Sequence, residues 1–167
     1  MLVYTAVEGM QLGIGLGFLM TKARDFPGEG PSPRITQGAG HISVFEHQLR
    51  FIELDGASPA IMAVGLISCA SVVMASQDEN AAARGAVFHA PGGLLSSQRI
   101  AEMHDGLGAP PVESLLAAYV IKNPWDKHYQ DEAMNLEKYG LLANNVVRIH
   151  QFVTGNFGMN NAGQVGL

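Results

Sequence analysis

Ala60-Ile61-Met62-Ala63-Val64-Gly65-Leu66-Ile67-Ser68-Cys69-Ala70-Ser71-Val72-Val73-Met74-Ala75 carries no charge and is interrupted by a single glycine. Its apolar run is short for a membrane span and holds Ser68, Cys69 and Ser71 in its interior. The pattern predicts two buried strands, Ala60–Val64 and Ala70–Ala75, flanking a bend from Gly65 to Cys69. Upstream, Ile42–Phe45 and Leu49–Leu54 have the composition of short strands, and Asp55-Gly56 closes the second with a turn signal. Downstream, a polar loop, Gln77–Arg84, leads into a further strand over Ala86–His89.

Pro91-Gly92-Gly93 then turns the chain. Ser96 or Ser97 can cap a helix to Asp105, with Ile100, Met103 and Leu107 on one face and Gly106 as its stop. Pro110-Pro111 blocks any continuation. Leu115–Ile121 has strand length, and its alanines also permit helix; strand is the preferred reading. Asp126 suits an N-cap for a helix through Tyr139, stopped by Gly140. Val146–Val153 alternates as a strand. Gly155–Gly163 has the composition of a turn-rich loop, and Phe26–Pro33 of another. Together these elements predict an α/β (α+β) sandwich, with mixed, mainly antiparallel sheets flanked by helices.

The chain has 167 residues, the length of one domain. Hydrophobic residues at 47% against 15% charged exclude a disordered chain. A net charge of −5 with no basic cluster argues against a nucleic-acid partner. The apolar first 20 residues lack a basic start and contain Gly9, Gly13, Gly15 and Gly17, so no secretory signal is expected. A cytoplasmic protein, or one exported without a cleavable signal peptide, is expected, with no membrane partner. The Gly13-Ile14-Gly15-Leu16-Gly17 run lacks the spacing of a phosphate-binding loop. On a single strand His41 and His47 would share one face with Glu46 beside them, a conceivable metal pair, but no third ligand is identifiable, and a lone cysteine cannot build a thiol-rich zinc site. No metal and no organic cofactor are expected.

The chemistry rests on Cys69, the sole cysteine, and on His89 at the end of an apolar strand. A free cysteine is also a common buried packing residue, and a strand-end histidine is often only a satisfied polar group. As a reactive pair they would be nucleophile and base, adjacent in space rather than in sequence. Backbone N–H groups around Ser68, Cys69 and Ala70 are the candidate oxyanion donors. A backbone carbonyl, Thr36 or Asn156 is the candidate for orienting the imidazole.

The Leu66-Ile67-Ser68-Cys69 and Gly85–Pro91 segments resemble motifs of the cysteine–histidine glutamine deamidases. That superfamily includes the CheD chemoreceptor deamidases, the cytotoxic necrotizing factor toxins and Burkholderia lethal factor. The order of elements after His89, through a helix, the Leu115–Ile121 strand, a helix holding Asn135 and the Gly155-Asn156 turn, is similar to CheD. The resemblance divides the chain into an N-terminal extension, residues 1–34, and a CheD-like domain, residues 35–167. It implies a hydrolase that deamidates a protein glutamine through a Cys69–His89 dyad and a thioester, in chemotaxis or as a bacterial effector. CheD-like proteins carry a threonine six residues before the cysteine, where this chain has Ala63, and a glycine where it has Ile67. Two alternatives stand beside this reading: a non-catalytic protein-binding module on the same scaffold, and a cysteine peptidase or acyl transferase.

Overall fold

The computed structural model describes residues 2–6, 12–13, 29–30, 41–78, 80–81, 83–92, 95–121, 132, 134–151, 156–161 and 163–166. Its strands, in chain order, are β1 Leu2–Ala6, β2 Leu12–Gly13, β3 Glu29–Gly30, β4 His41–Val44, β5 Leu49–Glu53 and β6 Ala60–Ala63. There follow β7 Ala70–Ser76, β8 Arg84–Ala90, β9 Leu115–Ile121, β10 Val146–Gln151, β11 Phe157–Met159 and β12 Gln164–Gly166. Helix α1 spans Ser97–Gly106 and α2 spans Met134–Tyr139.

One sheet runs in the order β3-β1-β10-β9-β7-β8-β5, and the other β2-β12-β11-β6-β4. Antiparallel pairings predominate, with parallel ones at β3-β1-β10-β9 and β4-β6. This is the α/β sandwich that the sequence predicts.

Side chains alternate across a strand, so each central strand feeds two cores. Val73 and Ala75 of β7, Val87 of β8 and Leu116, Ala118 and Val120 of β9 face the second sheet. There they pack with Ile61, Ala63, Phe157 and Met159. Val72, Met74, Phe88, Ala117 and Tyr119 belong to the opposite core, with Ile100 and Met103 of α1 and Leu136 of α2. Burial on both faces explains why β6 and β7 carry no charge. Helix α1 begins at Ser96, whose Oγ accepts from the Arg99 amide at 3.2 Å. That hydroxyl satisfies one of the amides left free at a helix start. The Arg99 guanidinium lies 4.8 Å from the centre of the Phe88 ring.

Three segments depart from the sequence pattern. Residues 1–34, set apart by the resemblance as an N-terminal extension, hold β1 and β3 of the larger sheet and β2 of the smaller, and β3 lies within the Phe26–Pro33 stretch expected as loop. The Gly155–Gly163 stretch is not all loop, because β11 lies between β6 and β12. A Cβ at Gly158 would stand 2.0 Å from the Ile61 carbonyl oxygen, so only glycine lets β11 approach β6 this closely. Of the helix expected from Asp126, the described part is Met134–Tyr139; residues 126–131 lie outside the described residues. Among the described residues no helix is long and apolar enough to cross a membrane.

Candidate active site

Strands β4 and β6 are parallel neighbours, with Val44 opposite Ala63. The chain therefore leaves both at the same end of the smaller sheet and crosses twice, side by side, to the larger one. The first crossing is the turn Phe45–Gln48 and the second is the bend Val64–Cys69.

In the first crossing the Gln48 amide donates to the Phe45 carbonyl at 3.0 Å. His47 donates its amide to the His89 carbonyl at 3.0 Å, and the His89 amide donates to the Gln48 carbonyl at 3.1 Å. Two residues thus oppose one, and His47, at φ +66°, takes the left-handed position that glycine usually fills in such a bulge. The bulge fixes Glu46 against the end of β8. In the second crossing Gly65, at φ +71°, makes the left-handed turn, and its amide donates to Asn156 Oδ1 at 3.1 Å. Cys69 precedes β7 by one residue, so it shares the inward parity of Ser71 and Val73. Ser71 lies directly opposite His89 in the β7–β8 ladder. Cys69 and His89 therefore meet on the inner face of the sandwich.

Cys69 Sγ donates to Glu46 Oε1 at 2.9 Å. That carboxylate, the sulfur and a ring nitrogen of His89 all lie within 4.8 Å of one another. Cys69 is 5% exposed and His89 2%, whereas Glu46 is exposed and marks the solvent side. His89 Nδ1 is 3.0 Å from the Val44 carbonyl oxygen. A carbonyl only accepts, so Nδ1 carries the proton in this contact. In a neutral ring the lone pair is then on Nε2, which has no hydrogen-bond partner among the described residues. The Val44 oxygen also accepts from the Val64 amide at 3.2 Å.

Burial, above all, pushes the Cys69 thiol up to about 11, reinforced by the hydrogen bond and the charge of Glu46. The Ser68 hydroxyl pulls the other way and does not prevail. The resting sulfur is thus a protonated thiol at neutral pH. An imidazolium-held thiolate would have a lowered thiol pKa; here burial first, and the adjacent carboxylate after it, push the other way.

The other expected site residues fall as follows. Ser68 is exposed beside the sulfur. Ala70 is fully buried and paired to Ala90 and Ile121 on its two sides. Asn156 holds the Gly65 amide, and the imidazole is oriented instead by a backbone carbonyl. Thr36 lies outside the described residues. Ser71 Oγ donates to the Phe157 carbonyl at 3.2 Å and so ties the two sheets. Ala63, in the threonine position of the resembled motif, is fully buried and contributes no polar side-chain atom. The motif's glycine position holds the exposed Ile67, and the left-handed residue of this bend is Gly65. Glu46 was not among the expected site residues. Its one signal in the sequence is that it is the only carboxylate in the short link between two strand-like segments.

No protein-family model matches the sequence, and no curated protein matches it significantly. Among solved structures, the Bacillus licheniformis hypothetical protein YfiH is 9% identical, with a TM-score of 0.45. That alignment covers 98% of this chain and 74% of YfiH. The Neisseria meningitidis protein NMB0706, of the family model DUF152, is 10% identical, with a TM-score of 0.44 over 98% of this chain and 72% of its own.

Proposed function

We propose that the chain hydrolyses a side-chain amide, a protein glutamine, with Cys69 as nucleophile and His89 as base. The observation that carries this reading is the unpartnered Nε2 of a 2%-exposed imidazole in one cluster with the only thiol. An imidazole whose Nδ1 is already tied to a carbonyl needs no reorientation to take a proton at Nε2.

The sulfur attacks the carboxamide carbon while its proton passes to Nε2. The Glu46 carboxylate beside the ring stabilises the imidazolium so formed. Collapse of the tetrahedral adduct expels ammonia, which takes that proton, and leaves a thioester. Water then attacks the thioester carbon and gives a proton to Nε2. Release of the new glutamate side chain returns a proton to sulfur, and the thiol is restored. Proton transfer of this kind contributes on the order of 10²–10⁴ in rate. Amides at the Ser68–Ala70 bend are the proposed oxyanion donors. Ile67, 78% exposed, and Phe45, 59% exposed, adjoin Ser68 and Glu46 and suit contact with a protein surface.

The raised thiol favours a second reading, a binding module in which Cys69 only packs. Ammonia release from glutamine-bearing peptides and proteins, lost in Cys69→Ser and His89→Gln while circular dichroism is unchanged, supports hydrolysis. Silence in every substrate, with an inert thiol, favours the binding module. Peptide cleavage in place of ammonia release points to a peptidase.

A further inference from the structure

We infer that Glu46, Cys69 and His89 are three ligands of a site for a divalent cation of the zinc class. The pair read from the sequence, His41 and His47, is not part of this site; the fold builds a different set by laying the Phe45–Gln48 crossing beside the Cys69 bend. Two independent observations point to a ligand. One carboxylate oxygen, one sulfur and one ring nitrogen converge within 4.8 Å. The ring nitrogen left for the cluster is Nε2, in a residue that is 98% buried and finds no partner there among the described residues.

The donor set selects the ion. Thiolate with imidazole suits zinc and its neighbours, whereas calcium and magnesium require oxygen ligands. Zinc bonds of about 2.0–2.3 Å to O, N and S place tetrahedral ligand atoms roughly 3.5 Å apart. The sulfur and carboxylate oxygen stand at 2.9 Å, so small side-chain movements suffice, and Glu46 on an exposed turn is free to make them. The outer contact is also in place. A metal-bound histidine usually donates its second ring N–H to a carbonyl or carboxylate, and here Nδ1 does so to Val44 at 3.0 Å. On binding, the sulfur–metal bond forms and the thiol proton leaves to solvent. Three protein ligands leave a fourth position open, as in catalytic rather than structural zinc sites. The inference does not rest on amide hydrolysis. A bound cation and a nucleophilic sulfur exclude each other, so zinc would silence the hydrolytic reaction.

The test is titration of the reduced, chelator-stripped full chain with Zn²⁺ in competition with a chromophoric chelator, and separately with Co²⁺. One Zn²⁺ per chain is expected, with affinity lowered at least about 100-fold in Cys69→Ser and in His89→Gln, the upper end of what losing even an outer-shell partner costs. Co²⁺ should give a thiolate charge-transfer band that is absent in Cys69→Ser, with circular dichroism confirming that both variants fold. Wild-type protein that shows neither competition nor a cobalt band overturns the inference. So does binding that persists unchanged in both variants, which places the ion elsewhere. If a variant fails to fold, the wild-type cobalt spectrum decides. Ammonia release measured in excess EDTA tests hydrolysis separately, so either proposal can fail without the other.

Discussion

Replacing Glu46 with Gln removes a negative charge beside the Cys69 sulfur and keeps an oxygen that can accept its S–H. The thiol is raised from 9.0 to about 11, first by burial, then by the Glu46 hydrogen bond, then by the Glu46 charge. Two pKa units lower the thiolate population about 100-fold at every pH below the ordinary value. Thiolate, not thiol, reacts with iodoacetamide, so the wild-type rate should climb about tenfold per pH unit without a plateau up to at least pH ~10. Glu46→Gln removes only the third-ranked cause. The rate at pH ~8 should therefore rise roughly three- to tenfold, while the profile still inflects above the free-thiol value of about 8.5. Modification is followed by intact mass over a pH series, and the shape of the profile separates ionisation from the slowing that burial itself imposes. A wild-type inflection at or below about 8.5 refutes the reasoning, since it requires the imidazole to outweigh both burial and the carboxylate. An unchanged rate in Glu46→Gln refutes the part assigned to the Glu46 charge.

Four further outcomes are expected. Gly158→Ala should cost about 3 kcal/mol or more in chemical denaturation, because the new Cβ meets the Ile61 backbone oxygen at 2.0 Å and backbone cannot swing aside. His47→Gly should raise the melting temperature, with a net gain of up to about 1 kcal/mol once relief of the left-handed strain at φ +66° is set against glycine's extra unfolded entropy. The Asp55 carboxyl is held below 3.8 by the Ser58 and Ala57 amides and the Ser58 hydroxyl; its stabilisation is present above that value and disappears as pH falls through the lower folded one, so the stability gap to Asp55→Asn should close in acid. Ile67→Ser should raise KM for a protein glutamine substrate and leave kcat nearly unchanged, as the side chain is 78% exposed and only adjoins the site; a fall in kcat at constant KM would count against a docking role.

The sandwich could be read from the chain because its central strands declare themselves twice, by apolar runs and by punctuation. Gly65, Asp55-Gly56, Ser96 and Gly140 all act where their residue types predict. The Cys69–His89 meeting follows from strand parity once β7 and β8 pair in register. Glu46 was hidden because its place depends on two non-local facts, the parallel β4–β6 neighbourhood and the bulge against His89. Neither leaves a local signature: a left-handed histidine does not announce itself in a sequence. Strand β11 was hidden for the opposite reason. Its Gly158 has turn composition, and only the close approach to Ile61 explains a glycine there.

The Val44 carbonyl couples two parts of the site. It serves both the Val64 amide, which begins the thiol-bearing bend, and the histidine ring. Peeling of β4 from β6 would expose that amide to deuterium and at the same moment release the ring to change tautomer. Exchange at Val64 is thereby a reporter of site competence, readable without substrate.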